Sequence, residues 1–347
     1  MTSQDILSLL GSGEWVSGQE IADRLSVSRA AVWKQIQSLR KRGYAISSST
    51  RKGYRLAERP DLLDADQIAG SLKTRWLGRS LKIYDTVTST NAVAMSLAQQ
   101  SPDGTVILAE TQTQGKGRLS RSWASPPGGI WMSIILKPQM PLSEVGRINM
   151  AVAVALCRAI SALLGLEAVI KWPNDILIAE HNEDRKLEQN RADQKVERKV
   201  CGILTEMKAE VDRLDYVVVG VGLNANVDPS GFPEEWRSTS LAAEAGRPVP
   251  RADLICRILE EAEQAYEKAA GSPEEAEQIF RQWQSLSATL GRRVRIASSS
   301  GDLVGLAAGL ASDGALILEE NGGEKIRILA GDCIHLRPAD GSRLERA

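Results

Sequence analysis

Cysteine and histidine are both scarce in this sequence of 347 residues. The four cysteines, Cys157, Cys201, Cys256 and Cys333, stand far apart, and His181 and His335 are its two histidines. No metal-ligand spacing and no disulfide framework can be assembled from groups so few and so scattered. Long apolar runs are missing too: the first 30 residues hold none of signal-peptide length, and no run of about 18 apolar residues occurs anywhere. Secretion and membrane spanning lose support, and a cytoplasmic protein without a membrane partner is expected. An excess of one charge is also absent, with 43 Lys and Arg against 44 Asp and Glu. What is present is an apolar content of 43%, enough at this length for a full core. Global disorder is excluded, and two or three domains are expected. A net charge of −1 can still hide a segregated basic surface, so charge is read segment by segment.

Such segregation lies near the N-terminus. Residues 28–55 carry eight cations, Arg29, Lys34, Arg40, Lys41, Arg42, Arg51, Lys52 and Arg55, and not one acid. That asymmetry is the electrostatic footprint of a nucleic-acid partner. Ile6, Leu9 and Leu10 predict a first helix, and Ser17 with Glu20 reads as a capping box opening a second through Ile21, Ala22 and Leu25. After a turn at 26–28, Ser28 caps a third helix. Its Val32, Ile36 and Leu39 make one apolar stripe, Arg29, Lys34 and Arg40 fall on other faces, and Gly43 ends it. This is helix-turn-helix order. Tyr44, Ile46, the polar run 47–50 and Arg51-Lys52-Gly53-Tyr54-Arg55-Leu56 then predict a hairpin with a basic tip, a wing. On the functional reading Ser28, Arg29 and Lys34 reach bases in a major groove, and Arg51 and Lys52 meet phosphates. The plainer alternative is a winged fold used for protein contacts. Trp33 reads as core or as a groove contact, and core is favoured. Pro60, in a stretch at 57–64 that turns from basic to acidic, marks a linker.

From residue 81 short apolar runs alternate with helical stretches, at 81–84, 106–109, 130–136, 169–172, 200–207 and 216–221, which predicts a mixed α/β sheet domain. A helix over 142–164, rich in Ala, Val and Leu, is read as packing. Gly115-Lys116-Gly117-Arg118-Leu119-Ser120-Arg121, followed by Trp123, is a loop suited to closing over an anion. Its glycines let the backbone approach a ligand, and Arg118 and Arg121 can hold phosphate oxygens in a forked geometry. It is not the nucleotide loop GxxxxGK[ST], whose second Gly-Lys and following helix are missing. Gly220-Val221-Gly222-Leu223-Asn224-Ala225 fits the dinucleotide fingerprint only superficially. Asn224, Asn226, Asp228, Pro229, Ser230 and Gly231 are loop formers where a helix would have to begin, so a Rossmann dehydrogenase is set aside. Lys171-Trp172-Pro173-Asn174-Asp175 is expected to end a strand. Lys199 opens the strand at 200–207, where it is a strand-end surface cation unless an anion meets it. Residues 290–337 alternate apolar positions around turns at 298–301, 312–314 and 321–323, the pattern of a small β-barrel. Residues 179–198 hold six acids and five bases and read as an extended solvated insertion.

Several of these segments occur in one order that resembles the bifunctional biotin protein ligases that also act as biotin-operon repressors. They are Thr88-Ser89-Thr90-Asn91, Ala109-Glu110-Thr111-Gln112 leading into Gly115-Lys116-Gly117-Arg118, Lys171 to Asp175, Lys199 to Leu204, and Gly220 to Asn224. Ser28-Arg29-Ala30-Ala31-Val32 is similar to the family's recognition helix and residues 51–56 to its wing, so the match runs from about Ile6 to Arg337. The resemblance implies an α+β multidomain protein. A winged helix-turn-helix DNA-binding domain would cover 1–58 and a linker with a connecting helix 59–80. A mixed α/β catalytic domain of the biotin/lipoate ligase type would cover 81–288, with the charged insertion at 179–198, and an SH3-like β-barrel 289–340.

It also implies chemistry in two steps: biotin and ATP give biotinyl-5′-adenylate and pyrophosphate, then a lysine of a biotin carboxyl carrier protein takes the biotinyl group. No protein nucleophile is required. Lys199 and Arg118 would be catalytic. Ser89, Thr90, Asn91, Gln112, Lys116, Gly117, Arg118 and Lys199 would bind biotin, with Ser89, Thr90 and Gln112 on its ureido ring. Gly115, Arg118, Arg121, Trp123, Asn174 and Asn224 would bind ATP or the adenylate, and Asp175 would meet Mg²⁺. Operator DNA and a homodimer in the adenylate-bound state complete the implied partners. Two positions depart from the family pattern: Lys116 stands where Arg is usual, keeping the charge, and Ser120 where Gly is frequent, stiffening the loop if φ > 0 is needed there. Two alternatives stay open, a lipoate protein ligase and a transcription factor that keeps biotin only as an effector.

Overall fold

In the computed structural model, which describes residues 3–336 apart from 12, 42, 59–60, 120, 180–196, 211–212, 234–235 and 299–300, the chain forms two compact units, Met1–Gly70 and Ser71–Ala347. Most of the expected insertion, together with Ser120 and Arg337, therefore lies outside the described residues. The first unit runs α1 (Ser3–Leu10), α2 (Gly18–Arg24), α3 (Arg29–Lys41), β1 (Ala45–Ser49) and β2 (Gly53–Glu58). Apolar spacing decides the packing: Ile6, Leu10, Ile21, Val32, Ile36 and Leu39 have no exposed surface and share one core with Tyr44, Ile46 and Leu56. Burying each such aliphatic side chain stabilises by roughly 1.5–3 kcal/mol.

The helix starts follow local chemistry. The Ser17 hydroxyl oxygen accepts the Glu20 N–H at 3.0 Å, and that of Ser28 accepts the Ala31 N–H at 3.2 Å. Between them Ser26 takes a left-handed φ of 54° to make the turn. β1 and β2 pair antiparallel as the expected wing, and Val16 exchanges two backbone hydrogen bonds with Tyr54, each 2.9 Å. Gly53 has φ +93°, and a Cβ there would overlap the Val16 carbonyl, so no other residue fits. One expectation fails: Trp33 is 57% exposed rather than in the core. The stripe was already filled by Val32, Ile36 and Leu39, and at 3.6 residues per turn Trp33 points about 100° away from Val32.

After α4 (Ala65–Ser71), the second unit runs β3 (Leu81–Val87), α5 (Thr90–Leu97), β4 (Thr105–Gln112), β5 (Ile130–Leu136), α6 (Gly146–Leu164), β6 (Ala168–Lys171), β7 (Asp175–Ala179), β8 (Glu197–Glu210) and β9 (Arg213–Leu223). α7 (Leu241–Ala245), α8 (Arg251–Ala269) and α9 (Pro273–Ser285) follow. The strands form one mixed sheet in the order β3-β4-β5-β9-β8-β7-β6, with β3 and β4 parallel and the remaining pairs antiparallel. α5 lies over Ile107, Ile135 and Val218 of three adjacent strands. α6, preceded by a 3₁₀ turn at Leu142–Glu144, packs against α8, α9 and β6. By length and composition Leu142–Leu164 could cross a membrane, yet eleven of its residues, from Ile148 to Ile160, are buried inside this unit.

Two details differ from expectation. Lys171 ends β6, as expected of the segment from Lys171 to Asp175, but no strand was expected next: residues 172–174 are a turn, and Asp175 begins β7, which pairs back on β6. Lys199 is not at a strand end but within β8, opposite Leu177. After Leu223 the chain enters a loop, with a 3₁₀ turn at Pro229–Gly231 where the dinucleotide fingerprint would need a helix to begin, as the loop-forming residues required. A separate antiparallel sheet follows, built from β10 (Arg293–Ser298), β11 (Gly301–Leu310), β12 (Leu316–Glu319), β13 (Lys325–Ile328) and β14 (Asp332–His335) in the order β13-β12-β11-β10-β14. Arg292 ties it to β8 through two hydrogen bonds to the Glu197 carboxylate, 3.0 and 2.6 Å.

Candidate active site

The segment at 115–123 is a small hairpin rather than an open loop. The Gly117 N–H donates to the Arg121 carbonyl at 2.7 Å and the Trp123 N–H to the Gly115 carbonyl at 2.8 Å. Gly115 is required because a Cβ there would overlap the Trp123 carbonyl, and Lys116 pairs with Ser122 across the hairpin. Its turn is strained at Leu119, a non-glycine residue with φ 53°. Left-handed backbone thus occurs one residue before Ser120, the position expected to need it; Ser120 itself lies outside the described residues.

Trp123 explains the glycines of β8 and β9. Its ring lies where a Cβ on Gly222 would stand 2.6 Å from Nε1 and one on Gly202 3.2 Å from the ring edge. A Cβ on Gly220 would overlap the Asn91 amide. The fingerprint-like Gly220-Val221-Gly222 is therefore a pair of clearances for side chains, not a phosphate loop. The Lys199 ammonium lies over the Trp123 ring, 5.0 Å from its centroid, and 2.7 Å from an Asp175 carboxylate oxygen. Lys199 has thus met its anion, and the surface-cation reading is wrong. Cys201, two residues on, is fully buried, and burial pushes its thiol up, so it stays protonated and is no nucleophile.

Arg118 donates to the Asn174 side-chain oxygen at 3.1 Å. Asn174 is held in turn by the Ile203 backbone, accepting its N–H at 2.9 Å and donating to its carbonyl. Burial presses the Arg118 guanidinium below its ordinary value, while Asp175 and Asp332 oppose that shift; a guanidinium so placed remains charged. Arg121 pairs at 2.8 Å with Asp332 of β14, whose hydrogen bond raises it. Arg118, Arg121, Lys199, Asp175 and Asp332 therefore form one set of interacting charges, with Asn174 bonded to Arg118 and Trp123 beside Lys199.

A second group lies at the start of α5. The Thr90 N–H and hydroxyl both donate to the Gln112 amide oxygen, at 2.8 and 3.1 Å, and the Gln112 amide nitrogen donates to the Ser125 hydroxyl at 2.7 Å. The Ser133 hydroxyl of β5 lies 2.6 Å from the Asn91 side-chain oxygen and 2.8 Å from the Thr90 hydroxyl, its single proton serving one of the two at a time. The Asn91 amide nitrogen donates to Glu206 at 2.8 Å and to the Leu204 carbonyl at 3.3 Å. Both ends of the Asn91 side chain are engaged, so it acts as framework. Ser89 caps α5 by position, but its hydroxyl makes no capping bond and is buried. Ser133, Ser125, Glu206 and Asp332 were all missed by sequence reasoning. Ser133 alone left a signal, as the one polar residue in the apolar strand Ile130–Leu136.

Two buried polar atoms among these residues lack a protein partner: the Trp123 indole Nε1 and the Asn224 side-chain oxygen. The Asn224 nitrogen donates to the Thr239 carbonyl at 3.0 Å. One donor and one acceptor are thus without a protein partner beside β9. No group of three or more His, Cys, Asp or Glu able to hold a metal ion occurs among the described residues. In the first unit Ser28, Arg29, Lys34, Arg51 and Lys52 are all exposed. Arg40 is structural instead, donating twice to the Ile46 carbonyl at 3.0 and 2.6 Å, and Arg55 lies 5.1 Å over Trp15.

Three family models match: an HTH domain over residues 2–55, the biotin/lipoate A/B protein ligase family over 83–224, and the biotin protein ligase C-terminal domain over 289–336. The chain is 38% identical to the bifunctional ligase/repressor BirA of Bacillus subtilis, covering 93% of this chain and 95% of that protein. It is 29% identical to the bifunctional ligase/repressor BirA of Escherichia coli, covering 96% and 97%. It also shares its fold with a biotin protein ligase from Aquifex aeolicus solved in complex with biotin and ATP, at a TM-score of 0.58 and 24% identity, covering 75% of this chain and 99% of that one.

Proposed function

The chain belongs to the biotin/lipoate A/B protein ligase family, and from that premise we propose how its residues carry two activities. It is a biotin protein ligase that uses biotin and ATP, joined to a helix-turn-helix repressor function. The observation that carries the catalytic reading is Lys199 set between Trp123 and Asp175, beside a hairpin that adds Arg118 and Arg121. A carboxylate oxygen of biotin attacks the α-phosphorus of ATP, the bond from that phosphorus to the bridging oxygen breaks, and pyrophosphate leaves. Two anions must approach, so the site needs cations to cancel their repulsion and hold the developing charge. Lys199 serves the reacting carboxyl oxygen, exchanging Asp175 for it, while Arg118, oriented by Asn174, and Arg121, released from Asp332, hold phosphate.

Ser89, Thr90 and Gln112 hydrogen-bond the ureido ring, with Asn91 fixing Thr90 through Ser133. Gly115, Lys116 and Gly117 carry the hairpin across the ligand, and Trp123 and Asn224 flank the adenylate. Asp175 is a single carboxylate already paired to Lys199. It fits Mg²⁺ only as an ion carried on the ATP phosphates, where the metal supplies charge neutralisation. In the second step the amine of a lysine on a biotin carboxyl carrier protein attacks the acyl carbon. The bond to AMP breaks, the nitrogen loses a proton, and an amide remains.

The proposed division is 1–58 for DNA binding, 59–80 as linker and helix, 81–288 for catalysis and 289–340 for the C-terminal β-domain, in a cytoplasmic protein. One recognition helix reads one half-site, so operator binding calls for a two-fold dimer. We propose that the adenylate promotes it, with coupling on the order of 1–3 kcal/mol. Pyrophosphate release and label transfer to a carrier domain, with biotin and with lipoate, test the enzyme. Biotin alone should support both. Transfer of lipoate at an equal rate would overturn the specificity, and no pyrophosphate release with either would overturn the ligase reading.

A further inference from the structure

A tryptophan has more apolar surface to hide than any other residue of α3, yet Trp33 leaves 57% of its surface exposed. The core has no place for it, since Val32, Ile36 and Leu39 are fully buried on one side of the helix. At about 100° per residue, Ala30, Trp33, Lys34, Gln37 and Lys41 all lie between about 100° and 200° from Val32, forming one outward face. Trp33 is the fifth residue of α3, within the half of such a helix that meets base edges in helix-turn-helix proteins. The surrounding segment, 28–55, has eight cations and no acid, so the partner of this face is a polyanion rather than a protein surface of ordinary charge. Among the groups that a polyanionic duplex offers in its major groove, the C5 methyl of thymine is the apolar one.

We propose that Trp33 is a specificity-determining contact to DNA, its indole covering a thymine methyl in the major groove, while Lys34, expected from the sequence to reach a base, meets phosphate instead and Ala30 lets the helix approach. This rests on the operator-binding reading above. The full-length protein, with biotin and ATP present, selects a duplex from a random pool. Each thymine of that duplex is then replaced in turn by deoxyuridine, which removes only the methyl. One thymine in each half-site should show a loss of about fourfold, the scale for one buried methyl group. Trp33→Ala should bind the selected duplex about tenfold more weakly and be indifferent to that deoxyuridine, while Trp33→Phe keeps the sensitivity. Trp33→Ala should leave the salt dependence unchanged, whereas Lys34→Ala lowers its slope by about one. If Trp33→Ala melts early, Trp33→Gln gives the same comparison. A well-folded Trp33→Ala or Trp33→Gln that binds as tightly as the parent, or that loses the same factor at every deoxyuridine, overturns the contact. So does unchanged duplex affinity with loss of self-association, which would assign the face to a second copy. Failure to select any duplex would instead overturn the operator-binding reading itself.

Discussion

Arg29, Lys34, Arg51 and Lys52 stand exposed in a stretch without one acidic residue, whereas Arg121 and Lys199 in the second unit each hold a carboxylate, at 2.8 and 2.7 Å. The first arrangement leaves a field that reaches outward, attracts any polyanion and weakens with salt. The second spends its charge locally and fixes each cation where a ligand must displace the partner it already has. Attraction without discrimination suits a search along DNA. Pre-positioned cations suit a reaction, because charge already oriented need not reorganise when the transition state forms.

Deleting residues 1–58 draws the sharpest line between the two: operator binding should vanish while adenylation continues, checked by duplex retention and by pyrophosphate release. A truncated protein unable to bind biotin would show that the surfaces are not separable. Within the second unit, Lys199→Ala should slow single-turnover adenylation by about 10²-fold or more, the scale for losing one preorganised donor to developing negative charge. Adenylation at the parental rate would reduce Lys199 to a structural partner of Asp175. In the wing, replacing Arg51 and Lys52 together by Ala should weaken binding alike to every duplex sequence and lower the logarithmic salt slope by about two, read from titrations at several salt concentrations.

The smallest effect concerns the contact between the sheets. Burial holds the His335 imidazole below its ordinary value of 6.5, only partly opposed by its hydrogen bond to Glu197. With the folded value depressed, the unfolded chain takes up a proton first, so this stability is complete above pH 6.5 and is lost as pH falls toward the folded value. Melting should drop by about 2–4 °C for each kcal/mol lost on acidification. His335→Gln should flatten that part of the profile, and parallel profiles for the two proteins would discount the effect.

Much of this architecture was legible as period and punctuation. The run Ile130–Leu136 was readable as a strand to the residue, and the α3 stripe as three core positions, because both depend on neighbours in sequence. The wing followed from alternation broken by Gly53. What escaped was non-local. Nothing near Asp332 indicates that it meets Arg121, 211 residues away, and Glu206 shows no sign of its bond to Asn91. β7 was hidden because Pro173 and Asn174, just past the strand expected at 169–172, read as a break rather than as a turn between two paired strands. For Trp33 core was favoured over a groove contact, although the helical period had already filled the core without it.

The glycines of β9 beneath Asn91 and Trp123 have a consequence for heredity. Every missense change at Gly222 adds atoms where the indole now lies, so of the codons one substitution away only the synonymous ones preserve the arrangement. In a library holding every single substitution, positions 220 and 222 should be depleted in almost all variants that pass selection for ligation, including the smallest, alanine. The exposed cations of the wing should instead tolerate many replacements. A side chain that is missing can thus constrain the gene as tightly as one that is present.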